Sequence, residues 1–154
     1  MTDVGSIQAR LSRGFEPATL RRIKRLWVRH SIAEDRRDID GLIATLAPDC
    51  VYEIVVTGQR WTGHDGARSF YTELFAAFPD NAFALSEIVV GPQGVFEVAT
   101  LTGTNQGPWA GVPASGLEVA LEVLILFPWD PVTERFGGER IWFDRGGLPA
   151  AIRP

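Results

Sequence analysis

Apolar and polar residues alternate with a period of two through three segments of the C-terminal half. Residues 95–106 (VFEVATLTGTNQ), 116–128 (GLEVALEVLILFP) and 139–144 (ERIWFD) read as strands. The stretches between them, GPWAGVPAS and DPVTERFGG, are rich in Gly, Pro and Asp and predict turns, so the three strands form an antiparallel meander. In the middle strand Leu117, Val119, Leu121, Val123, Ile125 and Phe127 fall on one face. Glu118, Ala120 and Glu122 fall on the other, which turns apolar at Leu124 and Leu126. A sheet with one greasy face needs a cover, and the earlier half of the chain predicts it. Residues 1–16 have no strong periodicity and are expected to be a flexible arm. Pro17 fits a first helical turn, and Leu20, Ile23, Trp27 and His30 recur at helical spacing to about Asp35. Asp38 caps a second helix with Ile39, Leu42, Ile43 and Leu46 as its stripe, ending before Pro48. CVYEIVV predicts a strand, TGQR a turn, and Ala67, Phe70, Tyr71, Leu74 and Phe78 a third amphipathic helix stopped by Pro79. A strand over residues 82–90 then enters the meander through a Gly-Pro-Gln-Gly turn, and the tail RGGLPAAIRP forms one turn at most. The expected class is α+β: about three N-terminal helices against a curved antiparallel sheet, one domain over residues 17–154, with a conical cavity between the layers.

Composition narrows the function classes. Of 154 residues, 45% are hydrophobic and 22% charged, ordinary for a globular domain, while five Trp and nine Phe can supply an apolar pocket. A single Cys50 leaves no internal disulfide and no Cys-based zinc cluster. Apolar runs are too short to span a membrane, and the first residues lack a secretory h-region, so a cytoplasmic protein is expected. A net charge of −4 argues against nucleic acid. The basic segment RRIKRLWVRH reads as a solvated face of the first helix rather than an RNA or partner site.

The helical start, the DIDGL segment at residues 38–42, FYTELFAAFPD, TGTNQGPWAGVPASG and the closing ERIWFD resemble the SnoaL-like polyketide cyclases over about residues 20–148. That family belongs to the nuclear transport factor 2-like superfamily, with ketosteroid isomerases and limonene-epoxide hydrolases. The resemblance implies the cone-shaped, cystatin-like α+β fold. It also shows departures. The Asp that cyclases and epoxide hydrolases use on the last strand is replaced by Ile141, and the cyclase His on the preceding strand by Val123. The epoxide-hydrolase Arg and Asp fall on Thr100 and Thr102, and the isomerase base on Ile54. None of those reactions transfers directly.

Titratable groups on inward faces are the remaining candidates for acid–base work. Strand parity puts Glu139 inward with Ile141 and Phe143; its alternative is a solvated residue beside the Gly-Gly turn. His30 lies on a core-facing stripe, about where the resemblance puts the isomerase Tyr, and reads either as a proton shuttle or as a His bonded to a backbone carbonyl. Tyr52 orients water or a carbonyl, or is a strand residue only. Asp144 ends the last strand as a further catalytic candidate or a turn residue. His64 reads as a surface cap, and the two histidines lack metal-site spacing, so neither metal nor cofactor is expected. Leu74, Phe78, Leu121, Val123, Ile125, Ile141 and Phe143 are expected as cavity walls. Thr100 and Thr102 are expected as a polar ladder, with Asn105, Trp109 and Trp61 at the mouth. The function these residues suggest is a cofactor-free cyclase, isomerase or hydrolase acting on a hydrophobic polyketide-, terpene- or steroid-like molecule. The alternative is a non-catalytic ligand-binding or dimerisation module. Leu124, Leu126 and Trp142 on the outer sheet face suggest a homodimer.

Overall fold

A computed structural model describes residues 4–14, 16–144 and 152–153. Four helices, α1 (Val4–Leu11), α2 (Pro17–Asp35), α3 (Ile39–Ile43) and α4 (Gly63–Ala77), accompany seven strands. The strands are β1 (Leu46–Ile54), β2 (Gln59–Thr62), β3 (Ala82–Gly91), β4 (Gly94–Thr104), β5 (Glu118–Asp130), β6 (Arg135–Phe143) and β7 (Ile152–Arg153). They form one sheet in the order β2-β1-β6-β5-β4-β3, with β7 added to β5. Helix α4 packs on β1 and β2, and α2 on β3 and β4. The α+β arrangement is as the sequence predicts.

Each element has a local cause. Helix α2 starts with Pro at its first turn and buries Ile23, Leu26, His30 and Ala33, one stripe at spacings of three, four and three. The Asp38 carboxylate caps α3 by accepting from the Gly41 amide at 2.9 Å. Helix α4 buries Ala67, Phe70, Tyr71, Leu74 and Ala77. In β5 the inner residues Val119 to Trp129 are buried at every second position, and the outer ones are half-buried or exposed. Tyr52, Phe70, Tyr71, Phe78 and Phe136 are among the largest fully buried side chains, each worth about 2 kcal/mol relative to exposure. No described helix is long and apolar enough to cross a membrane.

The structure departs from the expected pattern in five places. Helix α3 ends at Ile43, and Leu46 and Pro48 open β1 rather than close the helix, with Leu46 buried as a strand residue. Residues 4–11 are helical, but every described side chain there is exposed, which is why no periodicity marks them. TGQR does not simply turn: β2 pairs antiparallel with β1, Tyr52 opposite Trp61. The β1–β6 pair is parallel, with Tyr52 opposite Glu139, so one pairing in the sheet breaks the antiparallel rule. Gly137 and Gly138 belong to a strand and not to a turn. Phe136 and Glu139 are both buried although three positions apart, and the pairing slips here between β5 and β6. The extra residue is a β-bulge that re-aims the strand beyond it. The predicted turn in the tail falls mainly on residues 145–151 and 154, outside the described residues; Ile152 is paired with Val119.

Candidate functional site

Five elements deliver polar side chains to one buried spot. His30 comes from α2, Thr45 from the end of α3, Tyr52 from β1, Tyr71 from α4 and Glu139 from β6. His30, Tyr52, Tyr71 and Glu139 are 1%, 0%, 0% and 3% exposed, so their polar atoms need partners within the protein.

Hydrogen-bond bookkeeping fixes most of the protons. Thr45 Oγ1 donates to the Leu42 carbonyl at 2.6 Å. It must therefore accept from His30 Nδ1, 2.7 Å away, so Nδ1 carries a proton. On the other side of the ring, Nε2 lies 3.0 Å from Glu139 Oε1 and 2.9 Å from Tyr71 Oη. Tyr71 donates to the same Oε1 at 2.7 Å, and Tyr52 Oη lies 2.9 Å from Tyr71 Oη. Burial first, then the Glu139 charge, pushes both phenols well above their ordinary range, so both are protonated. One proton must occupy the Nε2–Oε1 contact: an imidazolium donates to a carboxylate, or a carboxylic acid donates to an imidazole. Both phenol protons and the Nδ1 proton are then committed. Among the described residues, the His30 and Tyr71 contacts to Glu139 both fall on Oε1.

Two further carboxyls stand nearby. Glu97 on β4 is 7% exposed and accepts from Trp27 Nε1 at 2.9 Å. Burial, aided by the Glu139 charge and opposed by the Trp27 bond, raises its carboxyl to about 7. Glu34 lies one helical turn beyond His30. Burial, then the charges of Glu139, Glu97 and Asp35, raise it well above the carboxylate range.

An apolar cavity opens onto Glu34 and Glu139. It is narrow, with about 20 Å³ in which a water-sized molecule can centre itself, roughly the room of one water. The walls include the expected Leu74, Leu121, Val123, Ile125, Ile141 and Phe143, take in Trp109, expected at the mouth, and add Phe70, Phe83 and Leu101. A larger hollow of about 310 Å³, between Arg13, Leu20, Pro92 and Trp129, touches none of the network side chains.

Several candidates stand elsewhere. Glu139 is buried, not solvated beside a turn, and His30 bonds to side chains, not to a carbonyl. Asp144 is exposed at the end of β6. Thr100 and Thr102 sit on the outer face, because Ala99 and Leu101 take the inward positions of β4. Asn105 is 2% exposed, and its side chain serves the loop: Nδ2 donates to the Gly107 carbonyl, and Oδ1 accepts from Ser115 N and Oγ. Trp61 donates to Glu73 at 3.1 Å and packs edge-on to Phe70. Phe78 is buried against Trp109, behind the wall. His64 Nε2 lies 3.2 Å from the Leu46 carbonyl. Sequence reasoning missed Glu97, Glu34, Thr45 and the chemical role of Tyr71. Two signals pointed to them: Glu97 shares strand parity with Val95, Ala99 and Leu101, and Glu34 falls four residues after His30. No cluster of three or more His, Cys, Asp or Glu suited to a metal exists among the described residues.

The sequence profile described as SnoaL-like polyketide cyclase matches residues 19–152. A protein from Jannaschia sp. CCS1 named as a SnoaL-like polyketide cyclase superposes with a TM-score of 0.75 at 23% identity, covering 93% of this chain and 100% of its own. One of the same name from Shewanella denitrificans gives 0.72 at 15% identity, covering 88% and 97%. An epoxide hydrolase from M. tuberculosis resembling the limonene type gives 0.66 at 19% identity, covering 85% and 89%. These likenesses speak for the fold. No protein of curated function matches the chain.

Proposed function

This chain belongs to the SnoaL-like polyketide cyclase family, and from that premise we propose that it is a cofactor-free acid–base enzyme acting on a hydrophobic polyketide-, terpene- or steroid-like molecule. One observation carries the reading: a buried carboxylate, Glu139, shares a proton with His30, accepts from Tyr71 and faces an apolar cavity. Glu139 is the group that takes a proton from the substrate, or gives one. His30 and Tyr71 hold the carboxyl in place through Oε1, and Thr45 fixes the His30 tautomer. Proton abstraction beside a carbonyl, with ring closure or return of the proton at another atom, suits such a site. The alternative, a binding module without turnover, draws support from the narrowness of the cavity.

Glu139→Gln separates the two. Gln preserves the shape, and its Oε1 can accept from Tyr71 and from a protonated His30 Nε2, but it cannot take up or release a proton as the carboxyl does. Wild-type protein should turn over members of a panel of hydrophobic ketones, epoxides and lactones, and E139Q should lose a factor of about 100 or more while still binding them. Saturable binding with no turnover by wild type would leave the module reading. Two coarser parts of the proposal have their own support. The half-buried outer residues Leu124, Leu126 and Trp142 suit a homodimer; a monomer by light scattering at micromolar concentration would count against it. Cys50, free and buried, suits the reducing cytoplasm.

A further inference from the structure

Charge balance in the cavity does not close with the groups already described. Glu139 has His30 and Tyr71, and Glu97 has the Trp27 indole. The Glu34 carboxyl has no hydrogen bond or ion pair among the described residues, although it lines an apolar cavity. Apart from the Trp109 indole, Glu34 and Glu139 are the polar side chains among the lining residues; both are acids. The nearby guanidinium of Arg37 donates through Nη2 to the Asn81 carbonyl and side chain and lies over the Phe75 ring, while its buried Nε finds no partner. Glu34 is half-buried, and a carboxylate set in an apolar wall without a side-chain partner takes up a proton or finds a cation.

We propose that the ligand of this cavity carries a protonated amine, with Glu34 as its counter-ion and the rings of Phe70, Phe83, Trp109 and Phe143 around its alkyl or aryl part. The inference rests on the cavity being the ligand site, as argued above, and names the chemistry of what enters it. A carboxylate or phosphate ligand would meet two acids and no basic side chain. A neutral hydrocarbon would leave Glu34 dehydrated and unpaired. An organic ammonium supplies the missing charge, and aromatic faces attract cations within about 6 Å of their centres. Phe70 and Trp109 already stand edge to face, 5.5 Å between centroids, at one end of the cavity.

Protons compete for the same place. The groups that act on Glu34 are Asp35 on its own helix, Tyr52 on β1, Tyr71 on α4, Glu97 on β4 and Glu139 on β6, the last bonded to His30. Burial and the neighbouring acids hold a proton on Glu34 when no cation is present. An ammonium must displace it, so its affinity rises with pH, while a neutral ligand's does not.

Calorimetric titration with n-butylammonium and with 1-butanol, a slim pair nearly equal in shape, tests this. At pH 8 the ammonium should bind wild-type protein at least tenfold more tightly than the alcohol, and that advantage should shrink at pH 5.5. Glu34→Gln should reduce it to within twofold without changing the affinity for 1-butanol. Trp109→Leu should weaken the ammonium more than the alcohol, and circular dichroism should show both variants folded. Equal affinities for the two probes, or an undiminished preference in E34Q, would overturn the amine assignment. If neutral compounds still bound and were turned over in a Glu139-dependent way, that assignment would fall alone. Binding of neither probe, with no turnover of any hydrophobic compound, would remove the functional reading as well.

Discussion

Glu97 keeps its proton up to about 7 in the folded protein, whereas in an unfolded chain a Glu has released it by about 4.3. Between those values the folded state binds more protons than the unfolded one, so stability falls as pH rises. The contribution is fully present below about pH 4 and lost through pH 7, a change of about 3 kcal/mol for a group this buried. Guanidinium titrations at pH 5 and pH 8 should show that loss, with Glu34 adding in the same direction. Glu97→Gln should flatten the profile and exceed wild type in stability at pH 8; an unchanged slope would mean the carboxyl is ordinary. The two tyrosines allow a graded test. Tyr52→Phe removes one hydrogen bond at the end of the network, for about 1 kcal/mol. Tyr71→Phe takes a donor from Glu139 and the partner from Tyr52, and should cost about 2 kcal/mol or more. Equal costs in urea unfolding would argue against Tyr71 as the hub.

Gly138 decides where Glu139 points. Its φ of +101° and a Cβ position 2.1 Å from the Val51 carbonyl oxygen leave no room for a side chain. Gly138→Ala should therefore cost about 3 kcal/mol or more, seen as a fall in Tm of ten degrees or more; a Tm within two degrees of wild type would show that the bulge yields easily. The same dipeptide explains a limit of sequence reading. Gly-Gly signals a break in regular strand geometry, but a turn and a bulge use the same two residues, and only the partner strand distinguishes them. Period-two and period-three-to-four patterns made α2, α4 and β3 to β6 legible because each buries one face. Helix α1 and β2 were not legible: one buries no described side chain, and the other spans four residues, Gln59–Thr62. The site was half legible. Glu139 and His30 followed from parity and stripe, and Tyr52 from the family resemblance, but their contacts depend on the parallel β1–β6 register, which a single sequence does not encode locally. Asn105 shows the converse error, a polar residue near the mouth that works for its own loop. Asn105→Ala should cost about 2 kcal/mol and make Trp109 fluorescence easier to quench with acrylamide.

At the scale of the whole molecule, the sheet divides into a local part and a long-range part. β3 to β6 follow one another as an antiparallel run, whereas β1 pairs with β6 across 87 residues, as Glu53 and Arg140 show. Closing a long loop is entropically costly before its contacts form. Leu121→Ala, in the centre of β5, should therefore mainly slow refolding, and Tyr52→Phe should mainly speed unfolding; stopped-flow chevrons with the opposite assignment would reverse that order. The parallel pair has a consequence for biosynthesis. His30 and Glu139 are 109 residues apart, and among the described residues no long strand follows the one that carries Glu139. A growing chain can display its helices and much of its meander on the ribosome while its proton-sharing groups are still apart. A chain that ends before β6 lacks Glu139, Ile141 and Phe143, so neither the buried His30–Glu139 contact nor that wall of the cavity exists until β6 has been made.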